Sequence, residues 1–138
     1  MRGSILALCK YTQAISPKSN AAGGLTETQV DGRGFDRALF LVDVGTCKHT
    51  GATLTFSVFE AHTAGSTGSL RTGSLNTATA PTGANKSYAT DVPIDPDTPY
   101  LTLISTAGTA FVNAGAICIL YQGSRTYPVA SQTTPKIL

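Results

Sequence analysis

Two segments near the middle of the chain constrain its fold more than any other part. Residues 35–44 and 52–60 each have the length and composition of a long β-strand. In the second segment Leu54, Phe56 and Val58 alternate with hydroxyl side chains, and this period of two indicates a sheet with one dry face and one wet face. The first segment is apolar on both faces, so we predict that it lies centrally in a sheet or beneath a partner.

The remaining segments give weaker strand signals separated by turn-rich stretches. Further strands are predicted at residues 4–10, 25–30, 69–75, 100–105 and 116–121. Residues 12–24 and 75–85 are predicted as loops, and the prolines of residues 92–99 exclude both a helix and a central strand there. No stretch shows an apolar stripe at helical spacing. The pattern predicts an all-β fold, an antiparallel β-sandwich or jelly roll with extended terminal arms.

The chain is short and poor in charge. Its 138 residues suit one domain, and we divide them into an N-terminal strand and arm (1–24), a jelly-roll domain (25–128) and an extended C-terminal tail (129–138). Charged residues make up 13% of the sequence, about half of the usual ~25% share. A surface of Thr, Ser, Gly and Ala is easily desolvated, which suits a protein packed against neighbours. Secreted β-domains have similar surfaces, so composition leaves both readings open.

Charge and hydropathy argue against nucleic-acid and membrane partners. The net charge is +2, and the basic residues are scattered along the chain, unlike a nucleic-acid footprint. No apolar run approaches the ~20 residues of a membrane span. The apolar run near the N-terminus stops at Lys10, short of a signal peptide, so we expect the chain to be made without export. The cysteines, Cys9, Cys47 and Cys118, are expected to be structural thiols.

We find no motif that carries chemistry. His49 and His62 lack a neighbouring carboxylate in a known catalytic arrangement, and there is no nucleophile elbow. The acidic residues Asp91, Asp95 and Asp97 lie close together but lack the spacing of a calcium-binding loop. We therefore expect no catalytic residue, no metal and no cofactor, and the chain is not expected to be an enzyme.

The order of four segments resembles a known family. Residues 34–46 form a block of a glycine, an aromatic residue and a hydrophobic strand ending in Gly-Thr. Residues 52–60 are a strand followed by a Gly/Ser-rich loop, 100–106 are a further strand, and 115–125 are a last apolar strand with a basic exit. Over roughly residues 25–128 this order resembles small head proteins of tailed bacteriophages. It is most similar to the capsid cement (decoration) proteins of short-tailed phages of the Bordetella type.

This resemblance implies a jelly roll in the virion, made in the bacterial host cytoplasm and bound to the outer surface of the icosahedral capsid. It implies that the major capsid protein is the partner and that a homodimer is present in many copies. The extended ends would bridge subunits of the major capsid protein. Their basic residues either contact the capsid or serve only solubility, and they are Arg2, Lys10, Lys18, Arg125 and Lys136. The candidate dimer face, unless it is core, consists of Phe40, Val42 and Val44.

Two other functions stay open. One is a small β-sandwich recognition module, such as a phage fibre or glycan-binding domain. Glycan binding calls for exposed aromatic rings, and the chain has no Trp, with most of its Tyr and Phe inside strand patterns. The other is an enzyme on a cupin-like barrel, which would need a His-x-His type of ligand set that this sequence lacks.

Overall fold

The computed structural model describes residues 9–19, 27–46, 51–79, 85–107 and 113–122. Every regular element in these ranges is a β-strand, which confirms the predicted all-β fold class. The strands are β1 (Lys10–Ser19), β2 (Val30–Asp31), β3 (Arg37–Val44), β4 (Thr53–Ala61), β5 (Ser69–Leu70), β6 (Asn76–Thr79), β7 (Lys86–Pro93), β8 (Tyr100–Ala107) and β9 (Asn113–Tyr121).

The strands form two antiparallel sheets that pack face to face. Sheet A has the order β1-β9-β3-β7. Sheet B has the order β2-β8-β4-β5, and β6 also pairs with β4. Strands that follow one another in the chain mostly cross from one sheet to the other. Apart from β4 with β5 and β6, neighbours within a sheet are therefore distant in sequence, which is the arrangement of a jelly roll.

The two strands that are apolar on both faces lie at the centre of sheet A. β3 pairs along its whole length with β7 on one side and with β9 on the other. β9 pairs in turn with β1. The prediction that residues 35–44 occupy a central position is therefore confirmed, and the reason is physical: a central strand has a paired backbone on both sides and tolerates apolar side chains above and below.

The core lies between the sheets and is filled by one face of each long strand. Phe56 of β4 packs edge-on against Tyr88 of β7, with ring centroids 5.3 Å apart and an interplanar angle of 71°. Such a T-shaped contact is favourable for aromatic rings. Nearby, Asn76 Nδ2 donates to Thr90 Oγ1 at 2.6 Å and joins the two sheets at the β6/β7 edge. The largest fully buried apolar side chains are Phe40, Phe56, Ile15, Leu54, Leu101, Leu103 and Leu120.

Three strands differ from the sequence-based expectation. A strand was predicted at residues 4–10 and a loop at 12–24, but β1 runs from Lys10 to Ser19, and residues 4–8 lie outside the described ranges. β1 belongs to sheet A, so the sandwich takes in residues assigned from the sequence to an N-terminal arm. Its register shifts between Gln13 and Ile15 and again between Ile15 and Lys18. Irregularities of this kind let an edge strand carry Pro17 without losing its pairing.

β6 and β7 also differ from the expectation. Part of the loop predicted at residues 75–85 forms β6, and the residues after that loop form β7. Both strands lie beside edges of the sandwich, where only one face needs to be apolar. In β7 the inward positions are held by Tyr88, Thr90 and Val92, while the alternating positions are polar or small. Such a pattern has little apolar content, so alternation of apolar and polar residues does not predict a strand here.

The loop between β4 and β5 turns at a glycine, as its Gly/Ser-rich composition predicted. Gly68 has a φ of 72°, and a Cβ atom at this position would lie 1.9 Å from the Glu60 carbonyl oxygen. Beyond the turn, Ser74 fills the gap between β5 and β6. Its hydroxyl accepts from the Val58 N–H at 3.0 Å and lies 2.7 Å from the Arg71 carbonyl oxygen. A side chain thus provides the hydrogen-bond acceptor for a backbone N–H of β4.

Candidate interaction surface

The chain enters and leaves the described sandwich at the same end of sheet A. Lys10, the first residue of β1, lies opposite Leu120. β9 ends one residue later at Tyr121, opposite Arg37. Because β1 and β9 are antiparallel neighbours, residues 1–8 and 123–138 both connect to the sandwich here. We call this the exit end.

Only two of the five predicted capsid contacts lie in the described ranges. Lys10 lies at the exit end, whereas Lys18 lies opposite Ala114 near the other end of β1. The eight-residue separation corresponds to about 26 Å along a strand, so the structure does not bring these two residues together. The other three candidates lie outside the described residues: Arg2, Arg125 and Lys136.

The predicted dimer face is not available on this fold. Phe40, Val42 and Val44 have exposed fractions of 0%, 2% and 3%. They point between the sheets and form part of the core, so their assignment as a contact surface must be corrected. The side of β3 that points outward carries Leu39 and Leu41 instead.

The outward side of sheet A has an apolar centre, which we call the outer face. Leu39 lies opposite Ile119, and Leu41 lies opposite Ile117, across the two central strands. These four side chains are neighbours on one surface because directly opposed residues of an antiparallel pair point to the same side. Ile117 is 45% exposed, and the other three are partly exposed. On β1, Tyr11 lies opposite Ile119 and extends the face.

Polar groups bound the outer face at both ends. At the exit end Arg37 Nη2 donates to Asp91 Oδ2 at 2.8 Å, and its Nε donates to Tyr121 OH at 3.0 Å. Tyr121 OH donates to Asp91 Oδ2 at 2.8 Å, so the network joins β3, β7 and β9. Burial by itself would raise the pKa of Asp91, but the bonds from Arg37 and Tyr121 outweigh it and lower that pKa. At the other end Ser87 Oγ donates to Asp43 Oδ1 at 2.5 Å.

A glutamate joins the two sheets on the β1 side. Glu27 forms an isolated bridge with Ile15 of β1, and its Oε1 accepts from the Ser105 N–H of β8 at 2.7 Å. Burial raises the pKa of Glu27, although the Ser105 bond acts in the opposite direction. The folded chain therefore favours the protonated form of this carboxyl more than the unfolded chain does.

A small cavity lies beside the proline-rich segment before β8. Its volume is about 250 Å³, and its walls include Phe35, Ile94 and Pro99. Arg33 at its margin is paired with Asp31, with Nε 2.9 Å from Oδ1. The walls are largely apolar side chains and backbone, and we assign no ligand to this cavity.

The residues considered for chemistry do not converge in the described part of the chain. Asp91 is bound by Arg37, while Asp95 Oδ1 accepts from the Asp97 N–H at 2.9 Å, and His62 is exposed. Within the described ranges there is no group of three His, Cys, Asp or Glu residues that would hold a metal, and no helix long and apolar enough to cross a membrane. His49 and Cys47 lie outside these ranges.

The cysteine of β9 behaves as a core residue. Cys118 is fully buried, with an exposed fraction of 0%. Burial raises the pKa of its thiol to about 12, so the nucleophilic thiolate is scarce at neutral pH. The predicted role of Cys118 as a small apolar residue is confirmed.

Comparisons with known proteins give no family. No protein-family model matches the chain, and no curated protein matches its sequence. Among solved structures, a protein of the disulfide-linked pili of Bacillus endospore appendages is 17% identical, with 85% of this chain and 90% of that chain covered and a TM-score of 0.46. The K1 cleaved adhesin domain of the Lys-gingipain of Porphyromonas gingivalis is 13% identical, with 85% and 75% covered and a TM-score of 0.47.

A viral protein is also among the similar structures. The coat protein of Tobacco streak virus is 7% identical, with 93% of this chain and 95% of that chain covered and a TM-score of 0.36. A pilus protein, an adhesin domain and a coat protein thus share a general likeness with this chain. With TM-scores below 0.5, these likenesses carry no conclusion about what the chain binds.

Proposed function

We propose that the protein is a structural component of a tailed-phage virion. It binds the outer surface of the assembled icosahedral capsid and bridges subunits of the major capsid protein, and in this way it stabilises the head. The observation that carries the proposal is the geometry of the exit end. A sandwich in jelly-roll order sends both of its flanking segments, residues 1–8 and 123–138, from one end of one sheet.

Two flanking segments at one end of a rigid body suit a bridging role. When one segment engages one capsid subunit, the other is held near the adjacent subunit at a high effective concentration, so two weak contacts give a strong attachment. A protein that binds the assembled lattice better than a free subunit stabilises the lattice by mass action. Because the two segments start from neighbouring strands, the distance between the two contacts is set by the segments themselves.

The basic residues associated with the exit end suit a carboxylate-bearing surface. Lys10 lies at this end, and Arg125 follows the last described residue, Gln122, by three positions. In an extended segment, backbone groups would pair with a strand edge of the capsid protein, and a basic side chain would add an electrostatic contact. Lys18 lies at the opposite end of β1 and has no place in this arrangement.

Glycan recognition fits the described surface poorly. Binding modules for sugars use exposed aromatic rings as stacking platforms. In the part of the chain that the structure describes, every Phe and Tyr is buried or only partly exposed. This observation favours a structural role over the recognition module.

The test is sedimentation of the purified full-length chain with heads of the phage that encodes it. We expect the chain to co-sediment with assembled heads and to bind dissociated major capsid protein much more weakly. The double variant Lys10→Glu, Arg125→Glu should weaken co-sedimentation by about tenfold or more, since two favourable charge contacts become repulsive. Lys18→Glu is the matched control and should bind as the parent does.

The proposal also predicts a change in the particle. Heads that lack the protein should release DNA at a lower temperature than decorated heads, and added protein should restore the difference. Equal binding to free subunits and assembled heads, or tight binding of a glycan without any binding to heads, contradicts the proposal.

A further inference from the structure

We propose that the free side of β7 binds an extended segment of the major capsid protein, which adds a strand to the four strands of sheet A. This free side faces away from β3, and we call it the open edge. The identity of the partner rests on the proposed function, whereas the site itself follows from the strand pairing of the sandwich. The contact is additional to those made by the segments at the exit end.

The other edges of the sandwich are short or covered in the described ranges. β1 shifts register twice and is bridged by Glu27, and its Ala14 carbonyl oxygen accepts from the Thr28 N–H at 2.9 Å. In sheet B the edge strands β2, β5 and β6 have two to four residues. β7 instead pairs with β3 over eight residues without a shift, and its Lys86 and Pro93 lie at the two ends. Folded proteins normally protect edge strands, so a long regular open edge indicates a site for another strand.

Three backbone N–H groups of β7 point toward the open edge. The Ile94 N–H, just past the strand, donates to the Asp36 carbonyl oxygen at 2.8 Å, and this bond continues the ladder between β7 and β3. Because successive residues of a strand direct their N–H groups to opposite sides, the even-numbered residues of β7 pair with β3. The N–H groups of Ser87, Ala89 and Asp91 therefore point away from β3. These residues are exposed, and no other described strand pairs with β7.

An extended peptide is the occupant that matches this row of groups. The outward N–H groups are about 6.8 Å apart, which is twice the rise per residue of a strand. Each of these residues directs its carbonyl oxygen to the same side as its N–H. A strand presents its own donors and acceptors at the same interval and satisfies the whole row, whereas a side chain or a small molecule satisfies only part of it. Strand addition to an exposed sheet edge is a recurring mode of peptide recognition.

The charges at the open edge favour a partner segment that carries a carboxylate. Lys86 is exposed, and it makes no ion pair within the described ranges. Asp91 is already bound by Arg37, so the open edge has an excess of positive charge. The chain's own flanking segments, residues 1–8 and 123–138, contain no Asp or Glu. They lack the group that would complement Lys86, and this favours a segment of a different protein.

An exposed leucine beside the open edge offers an apolar contact. Leu75 is 62% exposed and directly precedes Asn76, whose Nδ2 donates to Thr90 Oγ1 of β7 at 2.6 Å. A strand added to β7 directs alternate side chains toward the outer face and toward β6. The second set lies on the side of Leu75, and an apolar residue in it would cover that side chain. The expected segment is therefore extended, carries a carboxylate and has an apolar residue on one side.

The first test is hydrogen–deuterium exchange of the full-length chain, free and bound to heads of the phage that encodes it. Mass spectrometry of fragments follows the single amides of β7. In the free chain the amides of Ser87, Ala89 and Asp91 should exchange about tenfold or more faster than those of Tyr88 and Thr90, which pair with β3. Binding to heads should slow the three outward amides by about tenfold or more and leave the two paired amides unchanged.

The second test is co-sedimentation of variants with heads. Ala89→Pro removes an outward N–H without breaking the ladder to β3, so binding should weaken by about tenfold or more while the urea midpoint stays near that of the parent. Ala89→Ser keeps the N–H and should restore binding. Lys86→Glu reverses the charge and should also weaken binding by about tenfold. Lys18→Glu, on the far edge of sheet A, is its matched control and should bind as the parent does.

The outcomes distinguish this inference from the capsid role. Binding to heads without slower exchange at residues 87–91, or equal binding by Ala89→Pro and the parent, overturns the open-edge contact and leaves the capsid role in place. No binding to heads overturns both. Slow exchange of these amides in the free chain that is lost when residues 1–8 or 123–138 are deleted would identify the chain's own segment as the occupant. Exchange that slows with protein concentration would identify a second copy, and either result overturns the inference.

Discussion

Two adjacent residues of β3 provide a direct test of the two faces of sheet A. Val42 points into the core and is 2% exposed, whereas Leu41 points outward and is partly exposed. Val42→Ala removes two buried methyl groups, a loss of about 1.6 kcal/mol at ~0.8 kcal/mol for each. The cavity left between the sheets raises the expected loss to about 2–3 kcal/mol.

Leu41→Ala removes more atoms but should reduce the free energy of unfolding by less. Solvent already reaches the Leu41 side chain, so no closed cavity forms and only part of the transfer free energy is lost, about 1 kcal/mol. The free energy of unfolding should therefore fall by about 1–2 kcal/mol more for Val42→Ala than for Leu41→Ala.

Urea unfolding followed by far-UV circular dichroism measures both effects, since the chain has no Trp to report by fluorescence. Equal m-values for parent and variants would show that the same surface is exposed on unfolding. If Leu41→Ala costs as much as Val42→Ala in dilute protein, then Leu41 lies in the core and the assignment of the two faces is wrong.

Three further predictions concern titratable groups. Glu27→Gln keeps an oxygen for the Ser105 N–H without the charge that burial disfavours. Because the raised pKa makes the parent lose stability as the pH rises through that pKa, Glu27→Gln should be at least as stable at pH 7. Glu27→Ala should lose about 1–3 kcal/mol by leaving that N–H unpaired, and urea titrations would detect either result. For Asp91 the sign is opposite, because its pKa is lowered in the folded chain. The ionised carboxylate stabilises the fold at pH values above the ordinary carboxyl pKa, and this stabilisation is lost as the pH falls through the lowered pKa. The Tm of Asp91→Asn should therefore fall less than that of the parent between about pH 5 and pH 2, and an identical fall would contradict the Arg37 pairing. Iodoacetamide at pH 8 should leave Cys118 unmodified in the folded chain and alkylate it in urea, as peptide mass spectrometry would show; rapid alkylation of the folded chain would mean that the thiol is accessible.

The long central strands could be predicted from sequence because their pattern is carried by many residues. β3, β4, β8 and β9 correspond to four predicted strands, with ends that differ by a few residues. β3 and β9 are apolar on both faces, and for β3 this also predicted the central place in the sheet. These features need no partner to be recognised, since alternation and length are properties of the strand itself.

Other features depend on partners far away in the sequence. β7 is recognisable as a strand only beside β3, about fifty residues earlier, because its own inward positions include Thr90 and its outward positions are small or polar. β1 crosses Pro17 with two shifts in register, and local composition cannot show which irregularities a pairing strand will absorb. Short-range patterns contain no information about those contacts.

The sequence of β3, by contrast, does indicate which of its two faces points outward. Arg37 and Asp43 have the same parity as Leu39 and Leu41, so all four side chains must lie on one side of the strand. A face with a charge at each end reaches solvent at both ends, whereas the other face, centred on Phe40, is apolar throughout. The charged ends of this face therefore identify it as the outward one, although both faces are apolar at their centres.

The outer face and the exit end have different consequences for assembly. The outer face has a fixed geometry set by the registers of β3 and β9, so any partner of this face must match that geometry. The exit end instead carries flanking segments, and extended segments bind through backbone pairing that tolerates variation in the partner. If the proposed capsid role holds, both contacts come from the segments at the exit end. Lys10→Glu together with Arg125→Glu should then weaken binding to heads while leaving the outer face unchanged.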